Sequence, residues 1–152
     1  MQNLFEISDR ERVIERLSLL QLDAHPKWGT MNAHQMIVHL ADPFRAALGE
    51  KETAPMKGIF GLSPFNKLIS QLLPWPKGAP TSPEFIQGKG GTTPVDFEHD
   101  KRSLLLLIHR FIQEGQTSPQ LSANPVFGRL SNREWGRLMW RHIDHHLRQF
   151  GL

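Results

Sequence analysis

Apolar positions recur at helical spacing along most of the chain and mark out four substantial segments. Val13, Ile14, Leu17 and Leu20 predict a first helix from Ser8 to about Leu22, with Ser8 or Asp9 as its N-cap. Pro26 breaks that pattern, and Gly29-Thr30 forms a turn whose threonine can cap the next helix. Met36, Ile37, Leu40, Phe44, Ala47 and Leu48 form the stripe of a second helix from Met31 to about Leu48. Gly49 is its stop, and Pro43 is expected to kink it beyond His39. A third long helix spans Asp96 to about Gln113, carries Leu104, Leu105, Ile108, Phe111 and Ile112, and stops at Gly115. The last runs from about Asn132 to Phe150 and ends at Gly151, with Ser131 and Glu134 forming a capping box.

The middle of the chain reads differently. Phe65, Leu68, Ile69 and Leu72 suggest a short helix within Phe60–Leu73. Pro74 to Pro94 is rich in Pro and Gly, and a connection this long is usually functional or a linker. The flanking helices share one core, so the stretch reads as a covering loop and not as a domain boundary. There is no strand alternation and no internal repeat. The expectation is all-α: an up-and-down four-helix bundle with a long Pro/Gly-rich crossover loop and a short extra helix, one domain over residues 1–152.

Composition narrows the chemistry. The chain has no cysteine, which excludes disulfides, thiolate metal sites and a catalytic thiol and suits a reducing, cytoplasmic setting. A tightly held transition metal would need nitrogen and oxygen ligands, and the eight histidines become the residues to weigh. The start of the chain shows no signal peptide, and the apolar run Leu104–Ile108 is too short to cross a bilayer. The formal charge is +3 with acidic residues interspersed, and no run of consecutive Lys and Arg points to nucleic acid.

The last helix is the most informative. Trp135, Met139, His142, His146 and Gln149 follow steps of four, three, four and three, which marks one inward seam of a helix packed in a bundle. His142 and His146 therefore share a face one turn apart, a geometry by which two imidazoles can chelate one ion. His-x-x-x-His alone is a weak motif, and a buried histidine is more often a hydrogen-bonded core residue. Two uncompensated imidazoles on a core seam would nonetheless be costly, and a shared ion would satisfy both. A third ligand must come from another helix. His39 lies beside the second helix's apolar stripe and points inward. His109 is its rival, with a supporting or plain core role the better fit. His145 belongs at the seam's edge or in solvent, His34 is rotated away from His39 toward an exposed structural role, and His25 and His99 read as surface residues.

Asp42 and Asp144 could orient imidazoles, although solvated helix surface is the plainer reading for both. Trp28, Trp75, Trp135 and Trp140 read as core or rim packing, with Trp75 a candidate for a pocket mouth. Arg137, Arg141 and Arg148 read as a solvated basic face, with anion binding the alternative.

Two stretches carry a resemblance. Trp28-Gly29-Thr30-Met31-Asn32-Ala33-His34-Gln35-Met36-Ile37-Val38-His39-Leu40 resembles the opening of the second helix in the DinB/YfiT-like superfamily of metal-binding four-helix bundles. The segment from Phe127-Gly128 through Trp135 to His142-Ile143-Asp144-His145-His146-Leu147-Arg148-Gln149-Phe150-Gly151 resembles its final helix, and more narrowly a branch catalogued as a domain of unknown function. The resemblance implies a three-histidine site with one ligand from the second helix and a pair from the last, which fall on His39, His142 and His146. It also implies relatives that dimerise and relatives that use low-molecular-weight thiols. Asn124-Pro125 stands where this branch has His-Pro, which departs from the pattern.

The resulting expectation is one divalent transition metal ion (Zn, Ni or Fe, with Cu also compatible with imidazole) in a metal-dependent enzyme, a thiol-dependent transferase or a hydrolase. Three protein ligands would leave a coordination position open. The alternative is a non-catalytic metal-binding or scaffold protein, and the third possibility is histidines that only hydrogen-bond in the core. Expected partners are a small-molecule substrate, such as a low-molecular-weight thiol, and a second copy of the chain in a homodimer; nucleic acid and membrane are not expected.

Overall fold

The structure is a computed structural model that describes residues 1–55 and 81–152. Among those residues it is all-helical, with four α-helices and no β-strand. They are α1 (Ile7–Ser18), α2 (Ala33–Ala47), α3 (Phe97–Thr117) and α4 (Asn132–Gln149), with a 3-10 turn at Pro83–Phe85. The expected short helix in Phe60–Leu73, Trp75 and the first part of the Pro/Gly-rich stretch lie outside the described residues.

Each helix end is set by local chemistry. Asn32, not Thr30, caps α2: its side chain accepts from Gln35 N at 2.8 Å, and Gln35 Oε1 accepts from Asn32 N at 3.0 Å. Ser131 and Glu134 make the same reciprocal pair on α4. Asp96 caps α3 by accepting from His99 N at 2.7 Å. Helix α1 begins one residue before the expected Ser8, with Glu6 as N-cap and no side-chain cap bond. Helix α4 stops at Gly151, where Gly151 N donates to Arg148 O at 3.1 Å and Leu152 N to Leu147 O at 3.0 Å. Helix α2 continues through Pro43 to Ala47.

Gly115 does not stop α3, which runs two residues past it. Its lack of a side chain serves packing instead: a Cβ at Gly115 would strike the Phe5 ring, and one at Gly136 would strike Asn3 and Phe5. The N-terminal segment thereby tucks against α3 and α4, where Phe5 stacks on Phe111 at 5.5 Å. Phe111 in turn meets Phe44 edge-on at 5.2 Å and Trp135 at 6.4 Å. Phe44, Phe111 and Trp135 are fully buried, and truncating one such aromatic to Ala typically costs about 3–5 kcal/mol. Helix α2 packs mainly on α3, α1 on α4, and α2 also meets α4. That last contact brings His39 of α2 to His142 and His146 of α4.

Candidate metal centre

The α4 seam is where its spacing put it. Trp135, Met139, His142, His146 and Gln149 are all at most 8% exposed. His39, 5% exposed, approaches from α2. His39 Nε2 and His142 Nε2 are 3.1 Å apart. The three rings meet edge-on with centroids 5.0 Å apart for His39–His142 and 4.8 Å for each of the other two pairs. One nitrogen from each ring lies within 4.8 Å of the others, so this buried cluster could hold a metal ion.

The protonation pattern suits ligation. A carbonyl can only accept, so the 3.0 Å bond between His39 Nδ1 and Phe85 O puts the His39 proton on Nδ1 and leaves Nε2 as a lone pair facing His142. The amide of Gln149 is oriented by its Nε2 donating to Trp28 O at 2.6 Å, which turns Oε1 toward His146. His146 Nδ1 donates to that Oε1 at 2.8 Å, and its Nε2 is also left as a lone pair. Gly29 makes this relay possible, since its φ is +81° and a Cβ there would collide with the Gln149 amide.

Burial keeps the rings neutral. It lowers the His39 pKa against the opposing pull of the Phe85 carbonyl and Asp42. It lowers His142 well below the usual imidazole value, with His146, His39 and His145 adding to the effect. Burial, then His39, brings His146 to about 3 although its bond to Gln149 acts the other way. Neutral imidazoles at pH 7 are the ligating form. For Zn–N bonds of 2.0–2.1 Å, tetrahedral ligand nitrogens stand about 3.3 Å apart, so His39 and His142 already have the required spacing.

The cluster forms part of the wall of a cavity of about 330 Å³. Trp28, Met31, Phe85 and Ile86 give it apolar surface, while Gln87 and His145 add polar groups. Among the described residues lining it there is no carboxylate. His145 sits at the seam's edge, half-buried between His146 and Trp28, with centroid distances of 5.2 and 6.2 Å.

Asp42 is not on the surface. It is fully buried and accepts from Thr92 N at 2.9 Å and from Thr92 Oγ1 at 2.5 Å. Arg45 and Lys51 pair with it at 3.3 and 3.5 Å. The segment leading from Phe85 to Thr92 is thus tied to α2, the helix that carries His39. Asp144 is also buried, paired with Arg16 at 2.7 Å and Arg148 at 2.8 Å. The buried-charge pattern overturns the surface reading for both residues.

The remaining histidines fall away from the centre. His109 is exposed on the outer side of α3, so it is neither a ligand nor a core residue. His34 is partly buried and bridges α2 to α3 through Asp100 at 2.8 Å, against the expected exposure. His25 and His99 are exposed as expected. Trp135 and Trp140 are core residues whose indoles donate to Ser122 O and Asp9 O, each at 3.0 Å. Arg148 is exposed, whereas Arg137 and Arg141 are half-buried, so the basic face is less solvated than its sequence suggests. Asn124, at the departure from the His-Pro pattern, builds a turn by accepting from Val126 N at 2.9 Å and Phe127 N at 3.0 Å. Sequence reasoning missed the Phe85 carbonyl and the Gln149 relay. Gln149 carried a signal, its seam position three residues after His146; the carbonyl carried none.

No helix among the described residues is long and apolar enough to cross a membrane. The chain matches the family model described as Protein of unknown function (DUF1569) over residues 2–151, and it belongs to that family. No curated protein and no solved structure matches it.

Proposed function

We propose that this member of the family is a divalent-metal enzyme in which His39, His142 and His146 hold one ion beside a cavity that admits a small molecule. The observation that carries the reading is the convergence of three buried, neutral imidazoles, two with their lone pairs fixed by Phe85 O and Gln149, in the wall of that cavity. Three protein ligands would leave a coordination position open, and all three histidines line the cavity, which supports the reading. When bound, the ion would lower the pKa of a water or thiol that reaches it.

The chain's own groups do the rest. Phe85 O and Gln149 hold the His39 and His146 rings in the ligating tautomer. The apolar wall of Trp28, Met31 and Ile86 would take the substrate's apolar part. The reaction class we assign is thiol-dependent transfer, with hydrolysis second. We place the chain with the DinB/YfiT-like up-and-down bundles on the Trp28–Leu40 and Phe127–Gly151 stretches, and expect Zn, Ni or Fe in the site, a low-molecular-weight thiol as co-substrate and a homodimer in the cytoplasm.

The absence of a carboxylate among the described lining residues favours a second reading, a metal-binding protein without catalysis. Cobalt substitution separates the two. On the first reading, azide or a small thiol changes the visible spectrum of the loaded protein. A four-coordinate spectrum indifferent to both establishes a closed site and removes the enzyme reading.

A further inference from the structure

Gln87 lies in the cavity wall. It is half-buried, and its amide nitrogen is shielded from water with no acceptor among the described residues. Buried amide nitrogens in folded proteins nearly always have partners. This residue faces the same cavity as His39, His142 and His146.

The segment that carries Gln87 is firmly built. Phe85 N donates to Ser82 O at 2.9 Å, Lys89 N to Ile86 O at 3.1 Å, and Gly91 N to Ile86 O at 2.9 Å. Gly90 N donates to Pro83 O at 3.2 Å, and Lys51 Nζ donates to Gly90 O at 2.8 Å. A Cβ at Gly91 would come within 2.8 Å of the Ile86 carbonyl oxygen, so the Ile86 backbone leaves room only for glycine there, and the Gln87 amide nitrogen packs alongside. Thr92 then locks the segment to Asp42. One rigid turn therefore sets the Phe85 carbonyl against His39 and places Gln87 in the cavity wall, with its amide nitrogen turned inward and covered. Half a turn about the last side-chain bond exchanges the amide nitrogen and oxygen, and the nitrogen has no partner among the described residues to hold it back.

We propose that Gln87 is a substrate-positioning residue whose amide, after that half-turn, donates its N–H to a carbonyl or carboxylate oxygen of the molecule held at the three-histidine centre. The inference rests on the metal reading above. It selects small molecules that carry an oxygen acceptor a few bonds from the group that reaches the ion, over otherwise similar molecules without one.

The test uses the full chain loaded with cobalt, titrated with 3-mercaptopropionamide and with 1-propanethiol, and read by thiolate-to-cobalt absorption. Wild type is compared with Gln87→Leu and Gln87→Met, which keep the bulk and remove the donor. The expected result is that the affinity ratio of amide thiol to propanethiol falls about tenfold in both variants, as loss of one hydrogen bond would give, while propanethiol itself binds alike in all three. A ratio unchanged in both variants overturns the role of Gln87 while leaving the open metal site standing. If neither thiol alters the wild-type cobalt spectrum, the open-site reading fails and this inference fails with it.

Discussion

Acid should weaken the metal-free fold well above the pH at which carboxylates matter, and His146 shows by how much. An unfolded imidazole titrates near 6.5, whereas burial holds His146 at about 3 in the folded chain. The group is a base whose folded pKa is depressed, so the unfolded chain binds more protons and acid favours unfolding. Its contribution is complete above about pH 6.5 and is lost as pH falls from there toward 3. At pH 5 the difference between the two states amounts to about 2 kcal/mol from this residue alone. His39 and His142 shift in the same direction and deepen the loss. Glu84 is depressed by its bond from Ser82, and Asp100 by bonds from Val95, His34 and His99 that outweigh its burial. Their contributions disappear only as pH falls below the ordinary carboxylate range, so pH 5–7.5 isolates the histidines. Urea unfolding of chelator-treated protein at pH 7.5, 6.5 and 5.0, beside His146→Gln, measures the effect. The wild type should lose at least about 2 kcal/mol across the range, and the variant should lose about 2 kcal/mol less. A flat wild-type profile, or equal slopes for the two proteins, would refute neutral burial of this imidazole.

The same geometry makes other substitutions informative. Gln149→Leu removes the acceptor that fixes the His146 tautomer and should weaken zinc binding by roughly 10–100-fold in a chelator competition, with the helical far-UV signal retained. Gly29→Ala forces an alanine to φ +81° and pushes its Cβ into the Gln149 amide, so it should lower both zinc affinity and thermal stability. Ser131→Ala removes the α4 capping box far from the ligands and should cost roughly 1 kcal/mol of stability with metal binding unchanged, which makes it the control for both.

The parts of this site that were legible in sequence are those with a period. The steps from Trp135 to Gln149 define a face whatever else the chain does, and His39 could be placed because the apolar stripe around it is nearly continuous. Features set by distant partners were not legible. Asp42 looks like helix surface until Thr92, fifty residues on, arrives to bond it. Gly115 looks like a helix stop because glycine usually disfavours helix interiors, yet the Phe5 ring needs the space. His109 comes directly after the buried Ile108, but one residue further on a helix turns the side chain by about 100° and delivers it to solvent. The Phe85 carbonyl could not be foreseen at all, because every residue has one and only the fold decides which meets His39.

Metal content of untagged protein is the most direct test of the centre, measured by elemental analysis on wild type and on His39→Ala, His142→Ala and His146→Ala after equilibration with zinc or nickel and removal of free ion. The proposed site predicts about one ion per wild-type chain, lost in each variant, with thermal stability raised by metal only in the wild type. No metal in the wild type, and a melting temperature indifferent to zinc and nickel, would contradict the site and leave the three histidines as core hydrogen-bonding residues.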